Sequence, residues 1–147
     1  VEVLQQLWTQ ELVTYQGKFH DLRAVNITPL PVQRPIPVWF GGSSNAVIKR
    51  AARWGDGWMP IMNPGVPAEK KLALLRSELE YHGRDVAEFG LEAWLRVETP
   101  EPDAWASAAA DWSKLGATRV LLYPMYRMTS LDEQIATLRR FKEVVAS

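Results

Sequence analysis

Apolar residues at Leu4, Leu7, Trp8 and Leu12 recur at intervals of three and four, the spacing of one helix face, and predict a helix over residues 1–14. The pattern is already running at Val1, so the chain is expected to begin inside a longer structure. Gly17, Pro29, Pro31, Pro35 and Pro37 then interrupt any period, which predicts an irregular, proline-rich extension over 15–37. Beyond it the pattern changes to short β-prone runs that alternate with longer helical ones. Val38-Trp39-Phe40 reads as a buried strand ending at Gly41-Gly42; Ser43, Ser44 and Asn45 are helix-capping residues, and Val47, Ile48, Ala51, Ala52 and Trp54 share one helical face up to Gly55.

Three similar units follow. Gly57 to Ile61 predicts a strand, and Pro67 opens a helix with Leu72, Leu75 and Leu79 inward before Gly83. Leu91 to Val97 is the third strand, followed by a helix from Pro102 with Trp105, Ala108, Ala109, Trp112 and Leu115 on one side, ending at Gly116. Arg119 to Tyr123 is the fourth strand, and Ser130-x-x-Glu133 is a capping box that opens a helix expected to bury Leu131, Ile135, Leu138, Phe141 and Val145.

Such alternation predicts an α/β fold with a parallel sheet and right-handed crossovers, in a single partial domain covering 1–147, of which 38–147 forms the four β/α units. An open doubly wound sheet fits the pattern. So does a TIM-type (β/α)8 barrel, but a complete barrel takes about 250 residues, so the barrel reading makes this chain half of one. A half-barrel keeps two unpaired edge strands and an apolar concave face, and would pair with the missing half or with a second copy of itself.

Composition narrows the partners. Lys+Arg and Asp+Glu each number 17, with no basic cluster, so neither nucleic acid nor an anionic membrane surface is expected. No apolar run approaches the roughly 20 residues of a membrane helix, and a cytoplasmic setting is expected. Cysteine is absent and the two histidines, His20 and His82, are far apart, so no protein-built metal site is expected.

Chemistry is expected at the C-terminal ends of the strands. Gly41-Gly42-Ser43 sits where a strand hands over to a helix N-terminus, and its backbone N–H groups and hydroxyl could hold a phosphate; the same residues also suit a plain tight turn and cap. Ile61, Met62 and Asn63 follow the second strand, Arg96 and Glu98 the third, and Tyr123, Tyr126 and Arg127 the fourth. Arg96 and Arg127 could bind an anion or form surface ion pairs; Lys49, Arg50 and Arg53 read as a solvated helix face, and His20 as a loop residue or a proton carrier. Asp56-Gly57 suits a turn in which the glycine takes a backbone angle that other residues resist. Of the seven tryptophans, Trp39, Trp58 and Trp94 lie on strands, where each either fills the core or packs against a flat ring at the barrel mouth. No nucleophile, base and orienting group can be assembled, so the catalytic residues are unassigned.

The ordered set Tyr15-x-Gly17-x-Phe19, Pro29-x-Pro31-x-Gln33-x-Pro35-x-Pro37-Val38-Trp39-Phe40-Gly41-Gly42 and Arg50-Ala51-Ala52-Arg53-Trp54-Gly55-Asp56-Gly57-Trp58-Met59-Pro60 resembles the luciferase-like monooxygenase family, most closely its deazaflavin-dependent branch. The resemblance implies a (β/α)8 barrel whose fifth to eighth strands this chain supplies, with a cofactor, deazaflavin (coenzyme F420) or FMN, held at Gly41, Gly42, Ser43, Met59, Pro60 and Ile61. It implies an oxidoreductase or monooxygenase acting on a small molecule, with the acid/base residues mainly in N-terminal strands outside this chain, so that the chain would be inactive alone. A dimerising half-barrel with a binding or structural role, and an unrelated barrel enzyme holding a sugar phosphate, are the alternatives.

Overall fold

Two units of the chain meet at the last of the clustered prolines, Val1–Val38 and Trp39–Ser147. The computed structural model describes residues 1–96, 102–124 and 130–145. In the first unit, helix α1 (Glu2–Thr9) precedes an antiparallel hairpin of β1 (Val13–Gln16) and β2 (Asp21–Val25), in register Val13 to Val25 and Gln16 to Asp21. The helix expected through residue 14 therefore stops at Thr9, and Gln10 is already extended. Val13-Thr14-Tyr15 is β-branched and aromatic, and pairing with β2 places Val13 at 0% exposure, which outweighs the weak helical pattern. The hairpin occupies part of the segment expected to be irregular. All its prolines lie at Pro29 and beyond, so Tyr15 to Val25 carries none to block a ladder, and 26–38 alone is irregular.

The second unit consists of β3 (Trp39–Gly41), α2 (Asn45–Trp54), β4 (Gly57–Met59), α3 (Val66–Tyr81), β5 (Gly90–Arg96), α4 (Pro102–Lys114), β6 (Arg119–Tyr123) and α5 (Leu131–Val145), with a 3-10 turn at Val86–Glu88. The four strands are parallel and adjacent in chain order, β3-β4-β5-β6. This is an α/β fold with a helix after every strand, as the pattern predicts. The second strand ends at Met59, two residues short of Ile61, and Val97 at the end of the third lies outside the described residues.

Alternation along β5 separates the two faces of the sheet. Leu91, Ala93 and Leu95 are buried in one core with Ile48, Ala51 and Ala52 of α2, Leu72, Leu75 and Leu79 of α3, and Trp105 and Trp112 of α4. Burying each leucine contributes about 1.5–3 kcal/mol, so this helix-side layer carries most of the unit's stability. Glu92, Trp94 and Arg96 point to the opposite face, which the helices leave uncovered.

Trp39 occupies the floor of that second face. It is in register with Gly57, and Gly57 with Gly90. A Cβ on either glycine would come within 2.3 Å of the Trp39 ring. Gly57 is thus required by close approach of an indole, rather than by the unusual backbone angle expected from its turn position. The Arg119 guanidinium lies over the same indole, 5.6 Å from the ring centroid.

Helix α5 corrects one expectation. It starts as predicted, the Glu133 N–H donating to Ser130 Oγ at 3.2 Å, yet Leu131, Ile135, Leu138 and Val145 are 69%, 37%, 45% and 43% exposed. It packs beside α4 and buries Thr137 and part of Phe141. Among the described residues its helix neighbour is α4, on one flank beside the edge strand β6, so most of its apolar stripe is exposed.

Candidate functional site

The ends of β3 and β4 are joined by a compact set of hydrogen bonds. Gly42 N–H donates to the Met59 carbonyl at 3.0 Å, and the indole Nε1–H of Trp58 donates to the Gly42 carbonyl at 2.6 Å. Ser43 closes the set: its hydroxyl donates to the Ile61 carbonyl at 3.1 Å and accepts from the Ile61 N–H at 3.2 Å. Ser44 caps α2 by accepting from the Val47 N–H. The fold therefore brings Gly41, Gly42 and Ser43 side by side with Met59, Pro60 and Ile61, as a continuous ledge at the C-terminal edge of the sheet.

The members of this ledge differ in what holds them. Gly42 has φ +119°, a conformation that L side chains rarely adopt. Gly41 is different. Its φ is ordinary, and an added Cβ would meet only Met59 Cε, at 3.8 Å. Among the described residues nothing requires glycine there, since that contact is at ordinary van der Waals distance. Pro60 is fully buried, Met59 half-buried and Ile61 46% exposed, so Ile61 presents the most side chain to a visitor. The Ser43 hydroxyl proton is committed to Ile61, so this side chain acts as a strap between strand ends rather than as a free donor.

Behind the ledge, the first-turn N–H groups of α2 at Asn45 and Ala46 have no intrahelical acceptor, as at any helix start. A cation stands beside them: Lys71 of α3 donates from Nζ to Asn45 Oδ1 at 2.6 Å. Lys71 lies 26 positions from Asn45, in the exposed pattern of another helix, and no local motif signals it. Trp58 is 0% exposed on the helix side, so it is a core residue and a donor to the turn, not a platform for a flat ring.

A cavity of about 140 Å³ opens between the ends of β4 and β5, lined by Ile61, Met62, Asn63, Trp94 and Arg96. Four of these were expected near strand ends; Trp94 joins them because it shares the uncovered face with Arg96. Its indole stacks on Tyr123 with centroids 5.9 Å apart, and its buried Nε1 has no hydrogen-bond partner among the described residues. Glu98, Tyr126 and Arg127 lie outside the described residues. Lys49 pairs with Glu78 at 3.1 Å and Arg53 lies over the Trp54 ring, both consistent with an outer helix face. His20 is exposed in the turn between β1 and β2.

Parallel strands each followed by a helix define a β/α-type protein. The chain belongs to the luciferase-like monooxygenase family, whose model matches residues 1–143. An F420-dependent glucose-6-phosphate dehydrogenase of Kineococcus radiotolerans is 29% identical over 121 residues, which is 80% of this chain and 36% of that protein. An uncharacterized protein of Mycobacterium tuberculosis is 41% identical over 59 residues, 40% of this chain and 20% of that protein. Among solved structures, the coenzyme F420-dependent tetrahydromethanopterin reductase of Methanopyrus kandleri superposes with a TM-score of 0.75 at 14% identity, over 95% of this chain and 59% of the other. An F420-dependent secondary alcohol dehydrogenase matches at a TM-score of 0.56 and 17% identity, over 97% of this chain and 51% of the other. The chain thus spans between about a fifth and three fifths of the length of these relatives.

Proposed function

We propose that this chain is one partial barrel domain, the fifth to eighth strands of a deazaflavin- or flavin-dependent oxidoreductase acting on a small molecule, and that it is inactive by itself. In this reading the cofactor lies against Gly41, Gly42 and Ser43 on one side and Met59, Pro60 and Ile61 on the other. Coenzyme F420 is favoured over FMN because the similar dehydrogenases and reductase named above are F420-dependent. The observation that carries the reading is Gly41: among the described residues an added Cβ would meet only Met59 Cε, at 3.8 Å, on a ledge where neither backbone angle nor packing calls for glycine. A ligand pressed against the main chain does call for it.

When bound, such a cofactor supplies hydride transfer in the deazaflavin case, or oxygen activation in the flavin case. The residues of this chain position it. Gly41 lets a ring or ribityl edge approach the backbone, the Ser43 strap and the Trp58 indole hold the turn in shape, and the start of α2 with Lys71 favours a phosphate. The uncovered sheet face is closed by the N-terminal half of the barrel or by a second copy of the chain. In the first case the N-terminal half also brings the acid/base groups.

Titration of the full-length protein with F420 and with FMN, followed by absorbance and fluorescence, tests this. One cofactor should bind, and Gly41→Val should weaken it by roughly tenfold or more while leaving the circular dichroism unchanged. Binding of neither, or equal binding by Gly41→Val, overturns the assignment.

A further inference from the structure

We infer that Trp58 is a positioning residue for the cofactor phosphate: its indole N–H sets the plane of the Gly42–Ser43 peptide, so that the Ser43 N–H is presented to that group. This rests on the cofactor reading above. Trp58 is fully buried in the helix-side layer, where an apolar side chain would fill the same space. The polar group it adds serves the turn. Its Nε1–H donates to the Gly42 carbonyl at 2.6 Å, across 16 positions of the chain.

The bond acts on the neighbouring amide. A trans peptide is planar, with its carbonyl and its N–H on opposite sides. Because the Gly42 carbonyl is held toward the indole, the Ser43 N–H of the same peptide is directed away from it. Neither this N–H nor that of Ser44 has an acceptor among the described residues, so each can donate to a ligand oxygen. The two ends of the peptide are anchored separately: Gly42 N–H donates to the Met59 carbonyl, and the Ser43 side chain is bonded to Ile61. The peptide between them is not fixed by those bonds. Gly42, at φ +119°, has no Cβ to oppose its rotation, and the choice of plane falls to the bond on its carbonyl.

The surroundings select the ligand group. The turn leads into α2, whose Asn45 and Ala46 N–H groups lack intrahelical acceptors, and Lys71 Nζ is bonded to Asn45 Oδ1 beside them. A group that meets the Ser43 N–H therefore lies where negative charge is favoured, and in a flavin-type cofactor the anionic group nearest the ring is the phosphate. A donor fixed beforehand need not be ordered on binding. A buried side chain that touches no ligand can raise affinity in this way.

The test titrates the full-length protein, followed by fluorescence, with F420, with its deazaflavin riboside carrying only a terminal phosphate, and with the riboside lacking phosphate. FMN and riboflavin take their place if the earlier titration selects FMN. Trp58→Phe keeps an aromatic ring in the core and loses the donor. It should weaken the phosphate-bearing ligands by roughly fivefold or more, as for one lost hydrogen bond, and leave the phosphate-free one within roughly twofold. Benzothienylalanine at position 58 keeps the bicyclic shape without the N–H; it should give the same result, and it replaces Trp58→Phe if that variant does not fold. Equal weakening of all the ligands would show a purely structural role and overturns the inference, as does unchanged binding of the phosphate-bearing ones. Wild-type protein that binds neither F420 nor FMN overturns the cofactor reading and this inference with it, so the two failures are told apart.

Discussion

Gly41, Gly42 and Ser43 are consecutive, yet they are held differently. Gly42 answers a backbone angle and Ser43 a pair of hydrogen bonds to one partner across the ledge, while among the described residues neither angle nor packing calls for glycine at Gly41. Ser43→Ala removes both bonds to Ile61, and at about 0.5–1.5 kcal/mol apiece the unfolding free energy should fall by about 1–3 kcal/mol in a urea titration. If stability does not change, the strap is without consequence. The same scale accounts for Gly57. Gly57→Ala places a methyl against the Trp39 ring and should destabilise by about 1–3 kcal/mol, as overpacked positions do. The double variant with Trp39→Ala should cost less than the sum of the single changes; strict additivity in denaturant midpoints would show that the two residues are not in conflict. A turn glycine is visible in a sequence. That the ring it accommodates belongs to a residue eighteen positions earlier is not, because only strand pairing puts Trp39 beside Gly57.

Among the elements, the helices of the second unit follow their sequence pattern closely and α5 does not. The stripes of α2, α3 and α4 face a sheet and each other, so apolar spacing alone locates what is buried: Ile48, Leu75 and Trp112 all lie at 4% exposure or less. Leu75→Ala should therefore cost about 2–5 kcal/mol in chemical denaturation. Leu138→Gln, on an equally regular stripe, should change the stability of this chain by no more than about 0.5 kcal/mol, because the leucine is 45% exposed. A large loss there would mean that α5 is covered in solution. Periodicity reports which face a helix offers, and it does not report whether a neighbour is present to cover it. The first unit shows the converse, with α1 cut short and a hairpin formed where strand pairing outweighed local pattern.

Among its described residues, the second unit is a four-stranded parallel sheet with edge strands β3 and β6, its helices on one face and Trp39, Met59, Trp94 and Arg96 on the face that those helices leave uncovered. Edge strands beside an uncovered aromatic face favour association. In the partial-barrel reading, the isolated chain should sediment as a self-associated species, and co-expression with an N-terminal half-barrel from a luciferase-like relative should replace that species with a one-to-one complex. A monodisperse monomer that ignores such a partner would count against the reading.

The order of elements in the second unit, the parallel class of its sheet, the helix-side core and the likeness to luciferase-like monooxygenases follow from the sequence alone, because they depend on period, capping and local motifs read within a few residues. The location of the ledge follows in outline for the same reason. Tertiary structure alone decided what each residue of the ledge does, brought Lys71 to the start of α2, placed Trp58 in the core and Trp94 at the cavity, and left the α5 stripe in solvent. Those outcomes depend on which strand lies beside which and on what covers each face. They are distances between residues far apart in the chain, which no local pattern encodes.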